Sequence, residues 1–336
     1  MQATINDALT IPGAPDLHGL SFRRFRGESD YPLMVEVAEA SREADKDEDV
    51  TTLESITRAY ANLKNSDPYH DMVMVEMNGK LIGYKRVMWW SELDGTHIYG
   101  HFGKLVPEWR GKGIGTALFR HSEARLQEIA KDHTSATSRY FDVGSSDTTP
   151  NLVEIIESEG YTPVRNFYDM VRPDLENIPD CPLPDGIEVR PVQPEQYRAI
   201  WEAEVEAFKD HWGEWTTEEE DFKRWQDHHL FQPHLWQVAW EGDQVVGMVR
   251  NFIDEDANKK FNRKRGWTEN ISIRRPWRKK GIAKALIASS FRLHKELGMT
   301  EAALGVDTDN PNGARQLYES MGFQTVKTYT AYRKQF

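Results

Sequence analysis

The sequence predicts two tandem α/β units, each with a mixed β-sheet flanked by helices. Two observations lead to this prediction. First, a strand, a basic turn and a helix occur twice, around Arg110 and around Arg278, which lie half the 336-residue chain apart. Second, the apolar periods around each turn follow one order: β, α, α, β, β, β, α, β, α, β, β. A repeat at this spacing gives two domains of ordinary size.

Apolar periodicity places the elements of the first half. It predicts strand 20–25, helices 32–40 and 52–63, a hairpin of 72–76 and 81–87, strand 97–105, helix 113–131, strand 140–143, a helix from 150 to 160 and a pair of strands from Tyr161. The hairpin turns at Asn78-Gly79, a pair that favours type I′ turns. The acidic run 43–49 is interpreted as a solvated loop.

The same order restarts after a connector, 172–186, that holds four prolines. The second half predicts strand 187–191, helices 194–208 and 217–227, a hairpin of 235–240 and 245–249, strand 267–274, a helix from 282 to 298, strand 302–306, helix 311–321 and strands from Phe323. The basic stretch 258–265 is interpreted as a solvated loop. The predicted domains are 1–175 and 187–336, joined by a linker at 176–186.

Composition narrows the function classes. Hydrophobic residues make up 39% and charged residues 29% of the chain, as in globular proteins. A net charge of −12 disfavours a nucleic-acid partner and is compatible with a cationic substrate.

The start of the chain lacks the pattern of a signal peptide, and no apolar run is long enough to span a membrane, so we expect a cytoplasmic protein. The single Cys181 argues against disulfides and thiol catalysis, and the pair His228-His229 lacks the spacing of a metal site. Monomer and homodimer both stay open.

Each basic turn predicts an anion site. The first N–H groups of a helix have no intrahelical acceptor, and Gly113 or Gly281 lets an oxygen-rich ligand approach the backbone. Two rival motifs fail on residue types. A dinucleotide-binding fingerprint needs glycine where Thr116 stands, and a Walker A loop needs Lys-Ser/Thr after its last glycine. A purely structural turn, repeated because the domain was duplicated, is the bland alternative.

Both turns resemble the acyl-CoA signature of the GCN5-related N-acetyltransferase superfamily, [QR]-x-x-G-x-[GA]. The matches are Arg110-x-x-Gly113-x-Gly115 and Arg278-x-x-Gly281-x-Ala283. The element order fits that fold in both halves, so the resemblance covers nearly the whole chain. The tandem arrangement resembles two-domain members of the mycothiol synthase type. The resemblance implies an acetyl-CoA-dependent N-acetyltransferase.

The resemblance also implies which residues hold CoA. Loop amides from Lys279 to Lys284 would bind the diphosphate, with charge from Arg278 and Lys280, while the pantetheine arm would lie between splayed strands. The implied contacts of the second half are Ile271, Ser272, Ile273, Arg278, Lys279, Lys280, Gly281, Ile282, Ala283, Lys284, Asn310, Asn312 and Arg315. The first half retains a second set, Val106, Arg110, Gly111, Lys112, Gly113, Ile114, Gly115 and Thr116, and whether it also binds CoA stays open.

Amine acetylation needs a neutral amine, a polarised thioester and a proton for the departing thiolate. By resemblance, Glu269 is the base and Tyr318, in a segment that closely matches the family's second motif, is the acid. Strand alternation would place Trp267, Glu269, Ile271 and Ile273 on one face. Glu269 as a surface residue, Tyr318 as a core aromatic, and Asn310 or Asn312 as a helix cap are the structural alternatives.

The first half departs from the family pattern at these places. Glu269 aligns with His101, Tyr318 with Ile156 and Asn310 with Thr148. Isoleucine cannot donate a proton, so we expect catalysis in the second domain and a structural, substrate-shaping or vestigial CoA-binding first domain. A small-molecule amine is the expected acceptor, for which Trp212 and Trp215 could line a pocket. A non-catalytic acyl-CoA sensor, or acetylation of a protein N-terminus or lysine, are the alternatives.

Overall fold

The computed structural model describes residues 7–209, 212, 217–310 and 313–336. The chain forms two compact units: unit 1 is Met1–Val164 with Thr330–Phe336, and unit 2 is Arg165–Tyr329. The last residues of the chain therefore complete unit 1, and the end of the first repeat begins unit 2. The limits 1–175, 176–186 and 187–336 stay predictions about the sequence repeat.

Unit 1 is a mixed sheet with helices. Its strands are Ala8–Leu9 (β1), Leu20–Arg23 (β2), Met72–Met77 (β3), Lys80–Ser91 (β4), Thr96–Leu105 (β5), Ser138–Ser146 (β6) and the first residues of Thr162–Arg172 (β7). Its helices are Tyr31–Asp45 (α1), Leu53–Ala61 (α2), Pro68–Asp71 (α3), Ile114–Ala130 (α4) and Pro150–Ser158 (α5). Strands β1 to β6 lie in sequence order, and β5 pairs with β6 in parallel, while the other pairs are antiparallel.

Unit 2 repeats this arrangement. Its strands, after β7, are Glu188–Arg190 (β8), Gln237–Glu241 (β9), Gln244–Phe252 (β10), Arg265–Ile273 (β11), Glu301–Asp307 (β12) and the first half of Gln324–Gln335 (β13), whose second half belongs to unit 1. Its helices are Tyr197–Phe208 (α6), Glu219–Gln226 (α7), Glu255–Lys260 (α8), Ile282–Glu296 (α9) and Ala314–Ser320 (α10). The strand order is β7-β12-β11-β10-β9-β8, with β11 and β12 parallel. The predicted α/β fold with mixed sheets is confirmed.

Helix α9 shows how the pattern builds the core of unit 2. Its residues Ile282, Leu286 and Phe291 are at most 1% exposed and pack with apolar side chains of the sheet. Each such side chain contributes roughly 1.5–3 kcal/mol by leaving water. The opposite face of α9 carries its charges, so the helix can lie in one orientation only.

Two element predictions were wrong. Each half was expected to end in a pair of strands, but β7 and β13 are single long strands, because neither segment contains a glycine that could turn the chain. The basic stretch 258–265 is not a loop throughout: it includes the end of α8 and the first residue of β11. Helix α8 forms because the Asp254 carboxylate accepts the Ala257 N–H at 2.8 Å.

The acidic run 43–49 is a solvated loop only in part. Its first residues end helix α1, and two of its carboxylates are paired with basic side chains. Asp45 accepts two hydrogen bonds from Arg110, and Asp47 accepts one from Lys104 at 2.7 Å. The run therefore ties α1 to the end of β5 and to the turn that follows it.

Candidate active site

Unit 2 contains a cavity of about 690 Å³ at the predicted turn. Of the predicted site residues, the cavity is lined by Ile271, Ser272, Ile273, Arg278, Lys279, Gly281, Ile282, Ala283, Lys284, Asn310 and Tyr318. The sequence analysis did not identify Ala207, Phe208, Trp277, Gly313, Ala314 and Leu317, which also line it. One cavity thus joins the anion-binding turn to the predicted proton donor.

The turn before α9 presents unpaired backbone N–H groups. Gly281, at the helix N-cap, has φ 83°, and no side chain caps the helix. The first intrahelical bond here runs from the Ala285 N–H to the Gly281 carbonyl at 3.1 Å. The N–H groups of Ile282, Ala283 and Lys284 precede that bond and have no acceptor within the helix. This end of the helix therefore favours a bound anion.

The Arg278 side chain holds the turn in place. Its Nε donates to the Ile273 carbonyl at 2.9 Å, and its Nη2 donates to the Ala207 carbonyl at 3.0 Å. In unit 1, Arg110 Nε donates to the Leu105 carbonyl at 2.8 Å. The sequence analysis assigned Arg278 a charge role, whereas the structure shows that its guanidinium also ties the turn to β11 and α6.

Lys279 occupies a backbone conformation that favours glycine. Its φ is 62°, and the corresponding residue of unit 1 is Gly111, with φ 69°. Because a non-glycine residue is strained in this region, we expect Lys279→Gly to raise the free energy of unfolding by up to about 1 kcal/mol. Urea unfolding measures the change. As a control, Gly281→Ala should lower the free energy of unfolding, and a destabilised Lys279→Gly variant would contradict the assignment.

Glu269 lies beside a β-bulge in strand β11. Met248 pairs with Ser272 and Arg250 with Glu269, so β11 carries one extra residue, and Asn270 there has φ 49°. The prediction that Trp267, Glu269, Ile271 and Ile273 share a face was wrong, because an extra residue reverses the alternation beyond it. Pairing of β11 with β12 ends at Trp267 and Ala303. Past that point, Glu269 Oε1 accepts the Gly305 N–H at 2.8 Å.

The Glu269 carboxyl is suited to exchange a proton near neutral pH. Burial raises its pKa to about 7, and the neighbouring Asp169 charge adds to the rise. The Gly305 N–H and the Arg250 charge oppose it. Efficient general bases have a pKa near the working pH. The structure therefore favours a tuned base over a fully solvated surface carboxylate.

Tyr318 lies on helix α10 and lines the cavity while also packing in the core. It is 6% exposed, and its ring lies 6.1 Å from that of Phe323, edge to face. Burial raises the pKa of its phenol above the usual value, and the Glu269 charge raises it further. The two groups are thus close enough to interact electrostatically. Tyr318 stays protonated at neutral pH and can donate a proton into the cavity.

The remaining predicted contacts of unit 2 differ in their surroundings. Asn310 lines the cavity, but Gly313, with φ 70°, is the N-cap of α10. Arg315 Nε donates to Glu319 at 2.9 Å, and its guanidinium lies 5.1 Å from the Tyr168 ring. Neither Arg315 nor Lys280 is among the described residues that line the cavity. Asn312 lies outside the described residues.

The expected acceptor tryptophans are only partly described. Trp215 lies outside the described residues, as does most of its loop. The Trp212 ring lies 6.2 Å from that of Phe167 and 5.7 Å from the Arg165 guanidinium. Its part in an acceptor pocket stays a prediction.

Sequence reasoning missed Glu204, a buried carboxylate on α6. It accepts hydrogen bonds from Trp225 Nε1 at 2.9 Å, Arg250 Nη1 at 3.1 Å and Asn270 Nδ2 at 2.5 Å. Because Asn270 is the bulge residue, this network fixes the backbone next to Glu269. The available signal was a charged residue on the buried face of a helix, beside Ile200 and Ala203.

The described part of unit 1 differs from unit 2 at the positions of Glu269 and Tyr318. The pairing of β4 with β5 runs without a shift from Gly83–Leu105 to Ser91–His97, so it has no bulge. His101, in the place of Glu269, is 3% exposed and lies 3.1 Å from the Tyr161 hydroxyl, and burial holds its pKa well below the usual value. Ile156, in the place of Tyr318, is fully buried. His101 and Ile156 are packing residues.

The chain matches known proteins along most of its length. A model of the acetyltransferase (GNAT) family matches residues 33–148 and 197–323. The mycothiol acetyltransferase of Streptomyces bingchenggensis is 26% identical over 276 residues, which cover 79% of this chain and 80% of the relative. That of Salinispora tropica is 24% identical over 310 residues, which cover 85% and 93%.

Solved structures of acetyltransferases also resemble this chain along nearly its whole length. A GCN5-related N-acetyltransferase from Sphaerobacter thermophilus has a TM-score of 0.71 at 27% identity, covering 95% of this chain and 96% of that one. A tandem GNAT protein from the clavulanic acid biosynthesis pathway has a TM-score of 0.64 at 14% identity, covering 94% and 98%, and shows likeness in fold alone.

The described residues contain no cluster of three or more side chains that could hold a metal ion. Among them, no helix is long and apolar enough to cross a membrane.

The family match spans both copies of the turn and both copies of the fold. The chain therefore belongs to the acetyltransferase (GNAT) family, as an N-acetyltransferase that carries two copies of the family fold.

Proposed function

We propose that unit 2 transfers an acetyl group from acetyl-CoA directly to the primary amine of a small molecule. The observation that supports this most strongly is one cavity lined by both the uncapped N-terminus of α9 and Tyr318. The Glu269 charge raises the pKa of the Tyr318 phenol, so the two groups lie near each other. A non-catalytic acyl-CoA sensor would need the turn before α9 to bind the cofactor. It would need neither the raised pKa of Glu269 nor a proton donor beside it.

The residues of the cavity fit CoA. A Cβ atom built on Gly281 would meet no atom within 4 Å, so the space before the helix is open to a diphosphate. The amides of Ile282, Ala283 and Lys284 would hold that diphosphate, with positive charge from Lys279 and Lys284. The Ile271–Ile273 segment of β11 lines the cavity where pairing with β12 has ended, so the pantetheine arm could lie along it on that side. Acetyl-CoA, when bound, supplies the acetyl group as a reactive thioester.

The chain's own residues manage the protons. With a pKa of about 7, Glu269 can take the proton of the acceptor's ammonium group and leave a nucleophilic neutral amine. Tyr318 keeps a proton on its hydroxyl, available to a departing thiolate. The bonds of Glu204 to Asn270, Arg250 and Trp225 hold the bulge, and with it the base, in position.

The comparisons support a small-molecule acceptor. Both relatives carry the name mycothiol acetyltransferase, and mycothiol is a small molecule. The net charge of −12 is compatible with a cationic amine. The cytoplasmic location, and the choice between monomer and homodimer, stay predictions.

Thiol release with acetyl-CoA and a panel of amino sugars, amino acids, aminoglycosides and peptides tests the proposal, with mass spectrometry of the product. We expect an acetylated small amine, one acetyl group per thiol released. Tight binding of acetyl-CoA by calorimetry without transfer to any amine would favour the sensor. Acetylation of peptides alone would favour a protein acetyltransferase.

The two signature arginines provide a matched test of which unit holds the working cofactor. Arg278→Lys removes the bonds to the Ile273 and Ala207 carbonyls while keeping the charge. Because charge-assisted hydrogen bonds contribute about 1.5–3 kcal/mol each, we expect the KM for acetyl-CoA to rise about 10-fold or more. The control Arg110→Lys should leave that KM within about 2-fold. Equal effects of the two substitutions would contradict catalysis in unit 2 alone.

A further inference from the structure

Unit 1 repeats the surroundings of Glu204 but has an alanine in its place. Helices α1 and α6 begin with Tyr31 and Tyr197 and share three buried positions. Counted from these tyrosines, the buried residues at the fourth, seventh and eighth positions are Met34, Val37 and Ala38 in α1, and Ile200, Ala203 and Glu204 in α6. Ala38 is therefore the counterpart of Glu204.

The donors that Glu204 satisfies have counterparts in unit 1. Arg86 lies three residues after Gly83, and Arg250 lies three residues after Gly247. Each glycine pairs with the strand residue, Leu105 or Ile273, whose carbonyl accepts a hydrogen bond from the signature arginine of that unit. The Arg250 guanidinium lies 5.4 Å from the Trp225 ring, and the Arg86 guanidinium lies 5.1 Å from the Tyr60 ring. Tyr60 thus corresponds to Trp225.

In unit 1 these donors have no acceptor. Within the described part of the chain, Arg86 Nε, Arg86 Nη1 and the Tyr60 hydroxyl are buried without a hydrogen-bond partner. The Arg86 guanidinium lies between two rings, that of Tyr60 and that of Phe102 at 4.8 Å, and burial lowers its pKa. Buried N–H groups of a cation that have no hydrogen-bond acceptor are unfavourable. An oxyanion beside Arg86 would remove this penalty.

Among the residues that the structure describes, no neighbouring carboxylate is hydrogen-bonded to these donors. Asp71 is near enough to act on the Arg86 charge. Its carboxylate, however, accepts Arg125 Nε at 2.9 Å and the Asp67 N–H at 2.7 Å. In unit 2 the corresponding donors are satisfied by the Glu204 carboxylate, which accepts bonds from both Arg250 and Trp225.

We propose that Arg86 and Tyr60 bind the carboxylate of a small monocarboxylate ligand in unit 1, in the position that the Glu204 carboxylate occupies in unit 2. One guanidinium and one hydroxyl match a single negative charge better than a phosphate dianion. The Tyr60 ring lies 5.7 Å from that of Phe25 and 5.5 Å from that of Tyr31, so the donor pair borders a cluster of aromatic rings. This site is separate from the acetyl-transfer site of unit 2.

Calorimetry of the full chain with sodium benzoate, at constant ionic strength set with sodium chloride, tests this site. We expect saturable binding of benzoate to the wild type, and at least 10-fold weaker binding to Arg86→Met and Tyr60→Phe. Ala38→Glu supplies the missing carboxylate from the protein, so it should abolish binding and raise the melting temperature. The neutral control Ala38→Gln should not raise the melting temperature. The control Arg58→Met, which removes an exposed arginine on α2, should bind benzoate as the wild type does.

Several outcomes would overturn the proposal. They are no saturable benzoate binding to the wild type, equal binding by Arg86→Met, and inorganic phosphate binding Arg86 as tightly as benzoate does. Because Ala38 is 3% exposed, Ala38→Glu could fail to fold. In that case the comparison of wild type with Arg86→Met and Tyr60→Phe decides, and circular dichroism of both variants confirms their fold.

Discussion

Replacing Glu269 with glutamine should lower kcat/KM for the amine by about 10²- to 10⁴-fold at pH 8, the usual contribution of general base catalysis. Glutamine keeps the size of the side chain and can still accept the Gly305 N–H. It cannot take a proton from the acceptor. Initial rates of thiol release at saturating acetyl-CoA measure the loss. As a control, Glu255→Gln at the exposed start of α8 should leave the rate unchanged.

The pH dependence of this variant gives a sharper readout. The wild-type base must be ionised, and its pKa is about 7. The wild-type kcat/KM should therefore rise with pH up to about 7 and level off above it, and Glu269→Gln should lose this limb. A variant that keeps the same acidic limb would show that another group is the base.

Stability separates a catalytic loss from unfolding. Burial raises the pKa of Glu269 in the folded protein above that of the unfolded chain. Ionising this group therefore destabilises the fold as pH rises from about 4.5 to about 7. At pH 8 we expect Glu269→Gln to be at least as stable as the wild type while it is far less active. A lower melting temperature with the same loss of activity would indicate structural damage instead.

Replacing Tyr318 with phenylalanine should lower kcat by about 10²-fold or more, because the departing thiolate loses its proton donor. The ring and its packing on Phe323 are kept, so calorimetric binding of acetyl-CoA should change by less than about 2-fold. The matched control is Tyr332→Phe, a buried tyrosine of unit 1, which should retain full turnover. Unchanged turnover in Tyr318→Phe would remove Tyr318 from the mechanism.

The parts of the site that local sequence encodes could be predicted. The turn at Arg278–Gly281 and the helix after it depend on glycine, on basic residues and on an apolar period, all within a short segment. Tyr318 was predicted in the same way, from its resemblance to a contiguous motif. In each case the structure places the predicted residue in one cavity of unit 2.

The parts that depend on pairing between distant segments could not be predicted. The bulge at Asn270 is defined by the register of β11 against β10, which alternation within β11 does not reveal. Glu204 bonds to residues that lie 21, 46 and 66 positions away. The support that Arg278 gives to the turn was missed for the same reason, because one of its acceptors, the Ala207 carbonyl, belongs to α6.

The central claim is that the turn before α9 binds acetyl-CoA beside Glu269 and Tyr318, and that unit 2 alone performs the transfer. A crystal structure with CoA bound tests it most directly. We predict that the CoA diphosphate lies on the amides of Ile282, Ala283 and Lys284, with the thiol within hydrogen-bonding distance of the Tyr318 hydroxyl. CoA bound outside this cavity, or bound in unit 1 alone, would contradict it.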